Sequence, residues 1–505
     1  MKQVIITLFV FFFYYQSSFA EGSEMLKNTI LHVKLVDKDL KLGVNPVINI
    51  QISAYPFGGV EFLKSKEIPY RQAIAGEWNT FNVSSPADVF YMHISYTGIK
   101  APTGACYKLD NIYIIKAGSE LTICLDRMDI KFSGEGSIIP NIQSQIIKHS
   151  YKNSASDRKL LNGEYLRYFQ KLDESLDSAL NIQLSIIESN KAILDDYTVK
   201  VLKANCYGTR YFAQLKEYDV MLSQNEMFFK TFKKYYHEKI NAHTIPKFTN
   251  EIIDASPIFT NYLMEELNVL ERIGHDDYGP MLPDSCIRNI LQKINTNYSG
   301  TLRDKLLTIF ALRTNKNENA LPYFDGLLKG VKTKRYYDLL VHRIKVKENN
   351  IPFKNFILED ETGKLYTLDS FKNKVVVLDF WFTGCENCRI LNKAMKPIVK
   401  HFGGNPKIQF VNISIDRNKE QWINSVKMGN YTHHGGVNLY TNGEGDDNEL
   451  IRYYNITGYP TVFVIKDGLM FSSLPPRPSL EIPPNQDFSE NGARLIQLLE
   501  KAMKL

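Results

Sequence analysis

The chain has 505 residues, 44% of them hydrophobic, and a formal net charge of +6. That length is beyond what one hydrophobic core usually serves, so about three domains are expected. A nearly neutral balance over so long a chain gives no polyanion-binding signal and argues against a nucleic-acid partner.

Residues 1–20 read as a secretory signal peptide. Lys2 is the charged start, Val4 to Tyr15 is the apolar run, and Ser18 and Ala20 are the small residues a signal peptidase reads. The apolar run is about a dozen residues, short of the ~20 that a spanning helix needs. The residue directly after Ala20 is not a cysteine, so a lipid-anchored form is not expected, and no other stretch is long enough to cross a bilayer. Export places the six cysteines in a compartment where disulfides persist, most simply a periplasm.

Residues 21–140 are expected to form a β-sandwich-like domain. Runs at 30–36, 47–55, 78–85, 89–96 and 111–118 are short, β-branched and aromatic, and most alternate. Gly58, Gly59, Pro86 and Gly98 punctuate them. Residues 141–347 change texture: apolar residues recur at spacings of three and four, as in Tyr165–Ser189, Leu263–Ile273 and Thr301–Leu312. An all-α domain of about eight helices is expected there, with no catalytic motif. Two disulfides are candidates, Cys106–Cys124 in the β region and Cys206–Cys286 in the helical one, and at least one is expected to form.

Residues 348–505 change again and read as an α/β domain. A lead-in hairpin precedes the buried strand at 374–382, a helix over 392–402, a second buried strand at 408–416 and a helix at 419–427. Asp467-Gly468 is a tight-turn pair closing a hairpin, and a last helix carries Leu495, Leu498, Leu499 and Ala502 on one face. The adjacent His433 and His434 are expected in a surface loop, and the stretch around "LPPRP" reads as an extended connector.

The chemistry centres on Cys385 and Cys388. A thiol is a nucleophile only as the thiolate, and a helix N-terminus favours that anion. A helix starting near Glu386 puts Cys385 at that end with an exposed sulfur, and Cys388 one turn on and more buried. Cys385 is then the attacking sulfur and Cys388 the resolving one. A structural zinc normally needs a second such pair, and none is present. An inert disulfide is the other alternative. Two neighbours favour the redox reading. Asp379 sits in an apolar strand, where a carboxylate is costly unless it has a task such as shuttling the Cys388 proton; a salt-bridged edge position is the alternative. Pro460 stands at the head of a buried strand, which a cis Tyr459–Pro460 bond explains, as does an ordinary trans loop proline. A cis bond would lay backbone at Tyr459 and Thr461 beside the sulfurs, where an extended substrate segment can pair.

The strand Val375–Trp381, the CxxC six residues after Asp379 and the Tyr-Pro-Thr at 459–461 together resemble the thioredoxin superfamily. The lead-in at 356–385 and the stretch at 424–443 resemble its TlpA/ResA-type branch, and the whole layout resembles the long, secreted TlpA-like proteins of Bacteroidetes. The resemblance is specific over residues 350–505 and only architectural before that. It implies a thioredoxin-like fold for 348–505, Cys385 as nucleophile, Cys388 as resolving thiol, Asp379 as buried acid, Pro460 as cis-proline and Trp381 as the aromatic shield. It also implies a disulfide reductase of exported proteins, apocytochromes among them, re-reduced by a membrane thiol carrier, with no bound cofactor and no metal. The chain departs from the family in its Glu386-Asn387 dipeptide, in Gly384 where a Trp is usual before the first cysteine, and in Asn412 where thioredoxin has a Lys. Gly384 then belongs with Tyr459 and Thr461 to the substrate-facing surface. Oxidation or isomerisation by the same pair is an alternative, as is a binding or assembly role with a regulatory redox domain.

Overall fold

The computed structural model describes residues 26–35, 47–53, 70–74, 78–85, 88–100, 106–126, 129–150, 163–222, 226–239, 245–277, 281–314, 317–346, 348–433, 435–454, 456 and 458–504. The signal-peptide reading of 1–20 lies outside them. No helix among the described residues is long and apolar enough to cross a membrane.

Among the described residues the first region has eight strands: β1 Lys27–Leu35, β2 Val47–Ser53, β3 Tyr70–Ile74, β4 Trp78–Ser85, β5 Val89–Lys100, β6 Cys106–Lys116, β7 Glu120–Asp126 and β8 Asp129–Gly134. They form two four-stranded sheets, ordered β4-β1-β7-β8 and β3-β2-β5-β6. Alternation decides which side chains face inward. Leu31 and Val33 of β1, Phe90 and Met92 of β5, and Leu121 and Ile123 of β7 meet in one buried core between the sheets.

The opposite face of the second sheet is also covered. Tyr91 and Ile114 join the core of the helical region, and the Tyr91 hydroxyl donates to the Ala255 carbonyl at 2.9 Å. The helix Ile138–Lys148 packs on β6, β8 and the next helix, so no sharp break falls at residue 140. Nine helices occur among the described residues from 163 to 346, in keeping with a helical region. Ser256 caps Pro257–Gly274 and ends the short helix Asn250–Ala255.

Two of these helices, Asp196–Leu222 and Pro257–Gly274, cross very closely. Gly208 makes this possible: a Cβ there would stand 2.6 Å from the Phe259 backbone nitrogen. Beside that crossing, the buried Arg210 guanidinium meets Asp173 at 3.1 Å, Asp177 at 2.7 Å and the Gln214 carbonyl at 2.8 Å. The Tyr235 hydroxyl completes the set by donating to Asp173.

The last region is a seven-stranded mixed sheet ordered β10-β9-β13-β12-β11-β14-β15. The strands are β9 Ile357–Glu359, β10 Leu365–Thr367, β11 Val375–Trp381, β12 Ile408–Ser414, β13 Val437–Tyr440, β14 Thr461–Lys466 and β15 Leu469–Ser472. β11, β12 and β13 run parallel, and β14 is antiparallel to β11. Every residue of β11 is buried because both its faces are covered. Val375 and Val377 face the helices Glu386–His401 and Glu490–Lys504, whereas Val376, Leu378 and Phe380 face a second core containing Phe353, Leu450 and Tyr454.

Neither expected disulfide of the first two regions forms: Cys124, Cys206 and Cys286 are free thiols. β7, which carries Cys124, belongs to one sheet and β6, which begins at Cys106, to the other. The helices bearing Cys206 and Cys286 each pack chiefly against Pro257–Gly274 rather than on one another.

Candidate active site

The candidate site lies where β11 ends and a helix begins. β11 delivers the chain through Phe382 and Thr383 to Gly384, whose φ of 95° is in the left-handed region that favours glycine. This accounts for the absence of a large residue before Cys385. Thr383 is pinned on both sides: its N–H and hydroxyl donate to the Asp416 carboxylate at 2.9 and 2.7 Å. Cys385 is the N-cap of the helix Glu386–His401, and its sulfur accepts the Cys388 N–H at 3.1 Å. The free N–H groups and dipole at that terminus stabilise a thiolate.

Cys385 and Cys388 are joined as a disulfide, with Cα atoms 5.2 Å apart. Cys388 is fully buried. Cys385 is 6% exposed, less open than its place in the sequence suggests. The cover is aromatic. Trp381 stacks on Tyr431 with centroids 5.0 Å apart, and Trp422 stacks on Tyr440 at 4.7 Å, in one cluster with both cysteines. The Tyr431 hydroxyl accepts the Gly384 N–H at 3.1 Å, tying this cover to the turn. Gly384, Glu386 and Asn387 around Cys385 remain exposed.

Asp379 lies on the same strand, between Asn412 of β12 and Val462 of β14 in the sheet register. It is 3% exposed, and neither carboxylate oxygen has a hydrogen-bond partner among the described residues. Burial pushes its pKa up to about 8, against a smaller opposing pull from Arg477. The group therefore exchanges a proton near neutral pH. Asn412 is itself committed elsewhere, its amide donating to Asn438 at 2.9 Å.

The Tyr459–Pro460 peptide bond is cis. Thr461 follows as the first residue of β14 and pairs with Phe380 of β11, which brings this turn to the cysteine end of the sheet. Tyr459 packs edge-on against Phe382 at 5.6 Å, and its hydroxyl donates to Asp446 at 2.7 Å. The structure thus brings Cys385, Cys388, Trp381, Gly384, Tyr459, Pro460 and Thr461 to one end of the sheet, with Asp379 beneath.

Two residues escape the sequence reading. Tyr431 belongs to the stretch between the helix Lys419–Met428 and β13, where nothing local marks it as a cover. Arg477 sits in Pro475-Pro476-Arg477-Pro478, which the sequence presents as a connector. In the folded chain Arg477 lines a cavity of about 580 Å³ with Pro460, Thr461 and Val462, and with Leu312 and Phe324 of the helical region. A single charged residue held among three prolines was the available signal. His433 is a correction: it is 6% exposed rather than a surface residue. Its ring meets Phe410 edge-on at 5.9 Å, and burial pushes its pKa down to about 4, so it stays neutral.

Residues 373–469 match the family model described as thioredoxin-like. The chain is 31% identical over 111 residues to the thiol-disulfide oxidoreductase ResA of Bacillus subtilis, a match covering 22% of this chain. It spans 58% of the length of that curated relative. Among solved structures, the thioredoxin domain of a thiol-disulfide oxidoreductase from Bacteroides vulgatus is 20% identical, covering 30% of this chain and 96% of that one, with a TM-score of 0.24. A thiol:disulfide interchange protein from a Bacteroides species is 21% identical, covering 32% and 93%, with a TM-score of 0.25.

Proposed function

Residues 373–469 being a thioredoxin-like domain with a ResA relative, we propose that this protein is an exported thiol–disulfide oxidoreductase that reduces disulfides in other exported proteins. The observation carrying this reading is Cys385 capping a helix, with Cys388 buried one turn on and Asp379 unpartnered beneath. The Cys385 thiolate attacks one sulfur of a client disulfide. That bond breaks, a mixed disulfide forms, and the other client sulfur leaves as a thiolate that takes a proton from water. Asp379, as carboxylate, accepts the Cys388 proton. The Cys388 thiolate then attacks the Cys385 sulfur, closes the internal disulfide and releases the second client thiolate. Two electrons have passed to the client, and a membrane thiol carrier restores the dithiol. No step calls for a bound cofactor. The aromatic cover over Cys385 and the rim of Gly384, Tyr459 and Thr461 limit attack to disulfides presented on an extended segment.

Trapping tests this reading. A Cys388→Ser chain expressed in its native host accumulates mixed disulfides through Cys385 that a chemical thiol releases. A Cys388→Ser chain that captures no more protein than Cys385→Ser contradicts it. The measured potential separates directions: about −250 mV or below supports reduction, and a much more oxidising value supports oxidation or isomerisation.

A further inference from the structure

The helical region holds a second group of chemically versatile side chains, far in sequence from the cysteine pair. Glu271 lies in the last turn of the helix Pro257–Gly274, and His275 caps its C-terminal end. Cys286 lies in the first turn of the neighbouring helix Asp284–Asn297. One ligand atom from each of the three falls within 4.8 Å of the others. Glu271 and Cys286 are buried, and His275 reaches solvent.

The contacts around Glu271 divide its carboxylate. Oε1 meets the Lys293 ammonium at 2.5 Å. Oε2 faces Nε2 of His275 at 3.6 Å, too far for a hydrogen bond. With metal bonds of about 2.0–2.2 Å, the edge of a zinc tetrahedron between nitrogen and oxygen is about 3.4 Å. The Asn289 side-chain amide bridges the same two atoms, at 3.0 Å from Oε2 and 3.2 Å from Nε2. A donor group spanning two acceptors occupies the place a cation would take. The C-terminal end of a helix points its carbonyls there. The helix terminus adds a partial negative charge to a cluster in which Lys293 and Arg272 balance Glu271 and Asp277.

We propose that Glu271, His275 and Cys286 form a zinc-binding site completed by water. Imidazole, thiolate and carboxylate are the donors this ion accepts. Binding displaces the Asn289 amide, takes the proton from Cys286 and releases it to solvent. Lys293, on the other carboxylate oxygen, then orients Glu271 as an outer partner. Three protein donors with one open position, reached from the exposed side of His275, let the ion polarise a small molecule as well as tie two helices together. The site stands independently of the disulfide chemistry.

Cobalt(II) is the probe. The test uses the full chain carrying Cys385→Ser and Cys388→Ser, so that the active-site sulfurs contribute nothing. One equivalent of cobalt is expected to bind with a thiolate charge-transfer band in the near ultraviolet, and zinc to displace it. Cys286→Ser should abolish the band, and His275→Gln should weaken binding by about 100-fold or more, with unchanged helical circular dichroism. Asn289→Ala, which removes the competing amide, should keep or tighten binding. Absence of stoichiometric cobalt, or a band that survives Cys286→Ser, overturns the site. Should Cys286→Ser fail to fold, His275→Gln decides alone: undiminished cobalt affinity overturns the site.

Discussion

Two buried carboxylates, one in the helical region and one in the last, receive opposite treatment. Asp173 is 8% exposed and meets Arg210, Gln214 and Tyr235. Asp379 is 3% exposed, yet both its oxygens lack a hydrogen-bond partner among the described residues. A buried charge with full partners is architecture: it fixes how helices meet. A buried carboxyl without them is held near its neutral form and is free to trade a proton. The helical region spends its polar side chains on geometry, and the thioredoxin-like domain leaves one unspent beneath its sulfurs.

The largest effect should come from removing the unpartnered group. Asp379 titrates at about 8 in the folded chain against an ordinary 3.8. A carboxyl raised in the folded state favours folding while protonated, and that advantage is lost as pH rises from about 4 to about 8. At about 1.4 kcal/mol per pH unit, the upper bound on this cost is ~6 kcal/mol. Asp379→Asn does not titrate. It should therefore be more stable than the wild type in denaturant unfolding at pH 9, by up to that amount, with little difference at pH 4. Equal stability of the two chains at both pH values would erase the contrast.

Arg210→Met makes the opposite change in the helical region. It strands Asp173 without its cation, and breaking such a buried pair costs about 3–5 kcal/mol. Denaturant midpoints should fall accordingly, and disulfide reduction under folding conditions should persist. Gly208→Ala gives a smaller loss. Its methyl group meets the Phe259 backbone, and overpacking of this kind costs about 1–3 kcal/mol.

Much of this contrast is legible in the chain itself. Asp379, Trp381, Gly384, Cys385 and Cys388 fall within ten residues, so strand and helix periodicity place them without long-range information. Tyr459, Pro460 and Thr461 are recognisable because a proline heading a buried strand is unusual. The rest depends on contacts between distant segments. Tyr431 becomes the cover of Cys385 only when the stretch before β13 folds over Trp381. Arg477 becomes a neighbour of Asp379 only after β15 turns back. β13, four residues inside what resembles an insertion, and β8, ending in Ser133-Gly134, are too short to show a period. β7 does alternate, with Leu121, Ile123 and Leu125 buried, but it follows β6 so closely that the two runs merge. His433 looks like a loop residue beside glycines, and only the closure of its segment over Phe410 buries it.

Turnover by the Cys385 pair is the most direct measurement. The full chain, supplied with a chemical dithiol, should reduce a model protein disulfide catalytically, and Cys385→Ser should show no rate above the dithiol alone. Reduction by Cys385→Ser at the wild-type rate would contradict the account.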